Sequence, residues 1–241
     1  MKALLTTAAA AGALLILPQA ASAKVAELGA GAGGSVSAVC PSSDECAAPG
    51  RVTGYQGRSG SKKNPFYVRR AGYIVAFTVT LNDPAKNQSA YFGDIYGSSR
   101  PSVRLAILRR GDTPKTRRNT RLLRQSPAFG VRDYLGSSPT FVLRKPLRVN
   151  PTNIIGLTIP TWAPVFGKPS TSGDYWRASR PKNRCRDVKT DVQHTTGGEV
   201  ETYGCDYKGV RLQYSATYVP DPRPTRGKDD DEQQPLRRPG G

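Results

Sequence analysis

An antiparallel all-β fold, a sandwich or a barrel, is what this sequence predicts, and three observations predict it. Short runs dense in β-branched and aromatic residues alternate with a period of two. Gly, Pro, Asn and Asp punctuate the chain between those runs, and a helical period is almost nowhere sustained.

The elements follow in order. Residues 1–23 read as a cleavable secretory signal: Lys2, an apolar run over 3–17, Pro18, and the small-residue triplet Ala21-Ser22-Ala23. That run is shorter than the about 20 apolar residues a permanent span needs, and no later segment is apolar enough to cross a membrane. Residues 24–54 are rich in Gly, Ala and Ser and predict a flexible lead-in whose one firm feature is the loop between Cys40 and Cys46. Residues 55–219 form the expected sandwich domain, long enough for one well-buried core. Residues 220–241 carry repeated prolines, the acids Asp229 to Glu232 and terminal arginines, and predict a disordered tail.

Within the domain the clearest strand is 73–81, where Tyr73, Val75, Phe77, Val79 and Leu81 are expected to face the core. Residues 103–108 place Val103, Leu105 and Ile107 inward and Arg104 outward. Further strands are expected at 121–124, 140–143, 147–149, 154–159 and 210–219, the last with Val210, Leu212, Tyr214, Ala216 and Tyr218 on one face. A helix is expected only at 84–96, capped by Asp83.

The four cysteines lie past the signal, and an even count in an exported chain reads as a disulfide framework. Three pairings are open; Cys40 with Cys46 and Cys185 with Cys205 is preferred because each closes a short loop. A zinc site is the weaker reading, since CxxC spacing is missing and His194 is the one histidine. No metal and no cofactor is expected.

The run 141–160 (FVLRKPLRVNPTNIIGLTIP) resembles secreted jelly-roll sandwiches, in which one strand ends, a loop crosses an edge, and the next strand enters the opposite sheet. More of the chain is similar to a group of uncharacterised secreted actinobacterial proteins. The residues that carry that likeness are Pro160-Thr161-Trp162-Ala163-Pro164, Tyr175-Trp176-Arg177-Ala178-Ser179-Arg180, Tyr203-Gly204-Cys205, Tyr207 and Tyr214-Ser215-Ala216-Thr217. The resemblance implies export and a β-sandwich of jelly-roll type, and it brings no activity or ligand motif with it.

Net charge is +18, one unit less once Lys2 leaves, which predicts attraction to anionic surfaces. Two residue groups suggest a ligand. Trp162, Tyr175, Trp176 and Arg177 could form a platform on which sugar rings stack, because exposed flat aromatics match the apolar faces of pyranoses. Arg109, Arg110, Arg117, Arg118 and Arg121, gathered at a hairpin tip over 111–120, suit bidentate capture of phosphate or carboxylate. Interleaved aromatics are missing there, so sequence-specific nucleic-acid binding is not expected.

Catalytic constellations are thin. His194 has neither a G-x-S-x-G serine nor a free cysteine to serve. A pair of carboxylates from Asp94, Asp133, Asp174, Asp187, Asp191, Glu199, Glu201 and Asp206 would suffice for a polysaccharide hydrolase or lyase. The expectation is therefore a secreted, non-catalytic module for carbohydrate or an anionic cell-surface polymer, with that hydrolase and a purely structural envelope protein as alternatives.

Overall fold

The structure is a computed structural model that describes residues 24–29, 36–40, 46–169 and 173–223. The expected signal and nearly all of the expected tail lie outside the described residues.

In chain order the first strands are β1 (Ala26–Leu28), β2 (Val36–Ala38), β3 (Gly50–Ser59), β4 (Lys62–Lys63), β5 (Gly72–Val79), β6 (Ser102–Arg110), β7 (Asn119–Gln125) and β8 (Phe129–Gly130). They are followed by β9 (Thr140–Val149), β10 (Ile154–Trp162), β11 (Phe166–Pro169), β12 (Tyr175–Ala178), β13 (Val200–Thr202), β14 (Cys205–Lys208), β15 (Arg211–Leu212) and β16 (Tyr214–Pro220). One α-helix, α1 (Lys86–Tyr96), joins β5 to β6.

Strands β1, β16, β5 and β9 lie side by side in one sheet. A larger sheet runs β13, β7, β6, β10, β3, β12, β14, with β4 added beside β3 and β8 beside β6, and β15, β11 and β2 make a small third sheet. Every ladder between named strands is antiparallel. The chain crosses between the two large sheets from β4 to β5, β5 to β6, β8 to β9 and β9 to β10, the layer-switching habit of a jelly-roll sandwich.

The core lies between those sheets because each turns its apolar residues inward. Val103, Leu105 and Ile107 of β6 are fully buried, as their alternation predicts, together with Ile155 and Leu157 of β10. From the other layer come Phe77, Val79, Phe141, Leu143 and the β16 stripe Tyr214, Ala216 and Tyr218.

Strand β5 corrects a sequence expectation. Tyr73 is exposed and Ile74 is buried, whereas Phe77, Val79 and Leu81 do face inward. Against β16, Ile74 pairs with Tyr218 and Ala76 with Thr217, so Val75 is an extra residue on β5. One extra residue in a ladder reverses which side chains point inward beyond it, so strict alternation holds only on one side of the bulge.

The helix also differs from expectation. It begins at Lys86, and the amide N–H of Ala85 donates to Oε1 of Gln88 at 2.8 Å, so Asp83 is not the cap. Gly97 ends the helix at a left-handed φ of 68°, a conformation that favours glycine. Phe92 and Tyr96, one turn apart, bury themselves against Trp162 and Ala48.

Residues 24–54 are more than a lead-in. Strand β1 pairs with β16, β2 pairs with β11, and β3 already begins at Gly50. The disulfide Cys40–Cys46 forms as expected but is tied to the body: Oδ1 of buried Asn82 accepts the Val39 N–H at 2.9 Å and the Cys40 N–H at 3.4 Å. At the other end Asp221 holds Arg148 through two bonds of 2.8 Å, so order extends past Val219.

The outer face of the large sheet carries a second apolar cluster, Tyr55, Ala106, Leu108, Leu122, Ile154 and Tyr203. The Cys185–Cys205 disulfide, the other expected pair, ties the Arg180–Tyr203 excursion back to β14, and that excursion brings Tyr203 onto the sheet. Inside it the buried Arg180 guanidinium donates to the carbonyls of Gly50, Asp187, Val188 and Thr190, so main-chain oxygens rather than an acid satisfy its charge.

Candidate functional site

The basic pocket forms where β3, β12 and the β6–β7 hairpin meet on the outer face of the large sheet. Strand β3 passes down its centre, and two of its glycines make room for the rings of β12. A side chain at Gly54 would collide with the Trp176 ring, and one at Gly57 would meet the Tyr175 ring at 2.2 Å. Bare backbone at both positions lets the aromatic rings of β12 lie flat on β3. Trp176 thereby goes inward, and Tyr175 and Arg177 border the outer concavity.

The resulting cavity, about 410 Å³, is lined by Arg58, Lys63, Arg110, Arg117, Arg118 and Arg177, with Tyr55, Asn64 and Tyr175 between them. Among the described residues its counter-charge is one carboxylate. Asp206 of β14 stands directly opposite Arg177 in the ladder and takes its guanidinium through two bonds of 2.6 and 3.0 Å. Arg118 reaches the same carboxylate at 3.4 Å and donates to the carbonyls of Tyr203 and Gly204 at 3.2 and 3.3 Å. Burial works against the Arg177 charge, but the Asp206 bonds and nearby Tyr55 outweigh it and hold the guanidinium protonated more firmly than usual.

Among the described residues no carboxylate pairs with Lys63, Arg110 or Arg117. Arg110 instead lies over the Tyr67 ring, 5.8 Å from its centre. The buried Tyr67 hydroxyl has no hydrogen-bond partner among the described residues. Burial, reinforced by Tyr55, pushes its pKa up to about 12 despite Arg110 and Arg177.

A second hollow of about 410 Å³ lies on the same hairpin, lined by Arg109, Arg110, Asp112, Thr116, Arg121 and Val200 among others. Arg110 belongs to both hollows. Arg109 pairs with Asp112 at 3.3 Å on the exposed tip, and Arg121 donates to the Gly198 carbonyl at 2.7 Å.

The two sequence-predicted groups are thus regrouped. Tyr175 and Arg177 join Arg110, Arg117 and Arg118 in one pocket, and Arg109 and Arg121 border the hollow beside it. The sugar platform does not form. Trp162 is 1% exposed and Trp176 4%, because Trp162 packs on Phe92 under α1 and Trp176 stacks on Tyr207 inside the sandwich. Only an edge of Trp162 reaches a hollow of about 480 Å³ beside the helix.

Tyr55, Arg58, Lys63 and Asn64 are the site residues that sequence reasoning missed. The signal was the basic turn Arg58-Ser59-Gly60-Ser61-Lys62-Lys63, which is the β3–β4 hairpin.

The candidate acids are dispersed. Asp174 lies buried against Arg211, Asp187 bonds Thr190 and Arg184, and Asp191 meets Arg51. Glu199 accepts the N–H groups of Thr195 and Thr196 at 2.8 and 3.2 Å. None of the described hollows is lined by two acids.

His194 is fully buried on the Tyr203 ring, with Glu199 3.7 Å from its Nδ1. Burial lowers its pKa from the usual 6.5, and Glu199 only partly opposes that. A base whose folded value is depressed contributes stability in full above pH 6.5, and this is lost as pH falls through the folded value. Urea melts should therefore show stability falling as pH drops below about 6.5, and His194→Phe should flatten that slope. A wild-type profile already flat there would refute the assignment. Glu199, pulled below 4.5 by its hydrogen bonds against the opposing effect of burial, loses its contribution only at more acid pH.

Comparison with protein-family models, curated proteins and solved structures finds no match for this chain.

Proposed function

We propose that the protein is a secreted, non-catalytic binding module that holds an anionic extracellular polymer in the Arg58–Lys63–Arg110–Arg117–Arg118–Arg177 pocket. One observation carries this reading: six cationic side chains converge on a cavity with a single carboxylate, Asp206, beside them. Guanidinium groups kept together without counter-ions repel one another, and an incoming oxyanion relieves that repulsion while accepting their hydrogen bonds. Two disulfides suit an oxidising compartment, and no helix among the described residues is long and apolar enough to cross a membrane.

Retention of the exported form on immobilised anionic wall polymers, measured across a salt series, tests the proposal. Retention is expected to fall steeply with salt, and Arg117→Ala with Arg177→Ala is expected to weaken it about tenfold or more at low salt and to flatten the salt slope. Retention indifferent to salt, or to both substitutions, would reject it. The buried tryptophans favour a purely structural envelope protein as second reading, and that reading predicts no salt-sensitive retention on any polymer.

A further inference from the structure

We infer, building on the binding function just proposed, that the ligand is a linear phosphate-bearing polymer gripped at two consecutive places, one on each side of the β6–β7 hairpin. The first place is the main pocket. The second is the hollow of Arg109 and Arg121, and Arg110 lines both.

Two observations lead there. Arg109 and Arg110 are neighbours on β6, so their side chains leave opposite faces of the ribbon. Arg109 stands opposite Arg121 and Arg110 opposite Thr120, which places two guanidiniums on one face and one on the other. A single small anion can fill only one hollow, whereas a flexible chain can fill both by passing over Arg110.

The density of unpaired charge favours phosphate over carboxylate. Arg177 alone already satisfies the Asp206 carboxylate with two bonds. Lys63, Arg110 and Arg117 still lack a carboxylate partner among the described residues, so the ligand must bring several acceptor oxygens close together. Repeated tetrahedral phosphates do so more densely than uronic acids, one carboxylate per sugar. Nucleic acid fits less well, because the lining rings are buried Tyr55 and half-buried Tyr175, which leaves no open platform for stacked bases.

The test uses isothermal titration of the full exported chain with orthophosphate, a short linear polyphosphate, a long one, a long oligouronate and single-stranded DNA, at one fixed salt concentration. The long polyphosphate is expected to bind about tenfold or more tightly than the short one, since the second contact becomes intramolecular. Arg121→Ala is expected to bring the long chain's affinity down to that of the short chain; circular dichroism confirms that the variant is folded. Equal affinity for long and short chains, an Arg121→Ala variant that keeps the gain, or tighter binding of oligouronate or DNA would overturn the inference and leave the pocket's function standing. Failure of every anion to bind, or binding unaffected by Arg117→Ala and Arg177→Ala, would instead overturn the function itself.

Discussion

Trp162→Ala should cost the fold about 3–5 kcal/mol, read from urea denaturation, and should not weaken polymer retention by the molecules that remain folded. The indole is among the largest fully buried side chains and packs on Phe92, ring centres 5.3 Å apart. Its Nε1–H donates to the Ser98 carbonyl at 2.9 Å, which joins β10 to the segment just past α1. Truncation opens a cavity that the helix and the sheet cannot both close, and it orphans that carbonyl. Trp162→Phe keeps most of the ring and should lose clearly less. A Trp162→Ala loss under about 1 kcal/mol, or a selective loss of binding, would restore this residue to the surface role its sequence context suggested.

Asp174→Ala should be of similar size, about 3–5 kcal/mol, because it removes one half of a buried ion pair. Both Nε and Nη2 of Arg211 lie 2.6 Å from Oδ2 of Asp174, and Oδ1 accepts the Gly60 N–H at 2.6 Å. One carboxylate therefore ties the β3–β4 turn to the start of β12 and to β15, directly behind the Tyr175 wall of the basic pocket. Asp174→Asn spares the Gly60 bond but removes the negative charge that faces Arg211. The double substitution Asp174→Ala with Arg211→Met should regain much of the loss, since replacing both partners removes the ion pair whole. Additive losses in that cycle would show that the two side chains act separately.

The difference between surface platform and core filler was not legible around Trp162 and Trp176. Prolines and glycines flank both, as in an exposed loop, but long-range packing partners decide burial: Phe92 from α1 for one, Tyr207 from β14 for the other. The inward residues of β6, Val103, Leu105 and Ile107, were legible because no extra residue interrupts them, though burial of Ala106 and Leu108 on the other face was not, whereas β5 was legible only beyond its bulge. Strand β3 was hidden for a related reason. Its glycines read as a flexible lead-in, and their purpose, room for the rings of Tyr175 and Trp176, appears only when β12 lies beside them. The arginines of the hairpin tip were visible as a charge run. That Arg58 and Lys63, roughly half a hundred residues upstream in the chain, complete their circle follows from sheet order, which no local pattern encodes.

Asp206 gives the cavity an incumbent. With its carboxylate tethered between Arg177 and Arg118, two of the six cations already have a fixed partner, and a solute competing for those two meets a rival that never diffuses away. A lone monovalent ion presents one charge to that rival, whereas a strand presents many at once. On the proposed function, the cavity would therefore discriminate by how many charges a ligand presents together rather than by the sign of its charge alone.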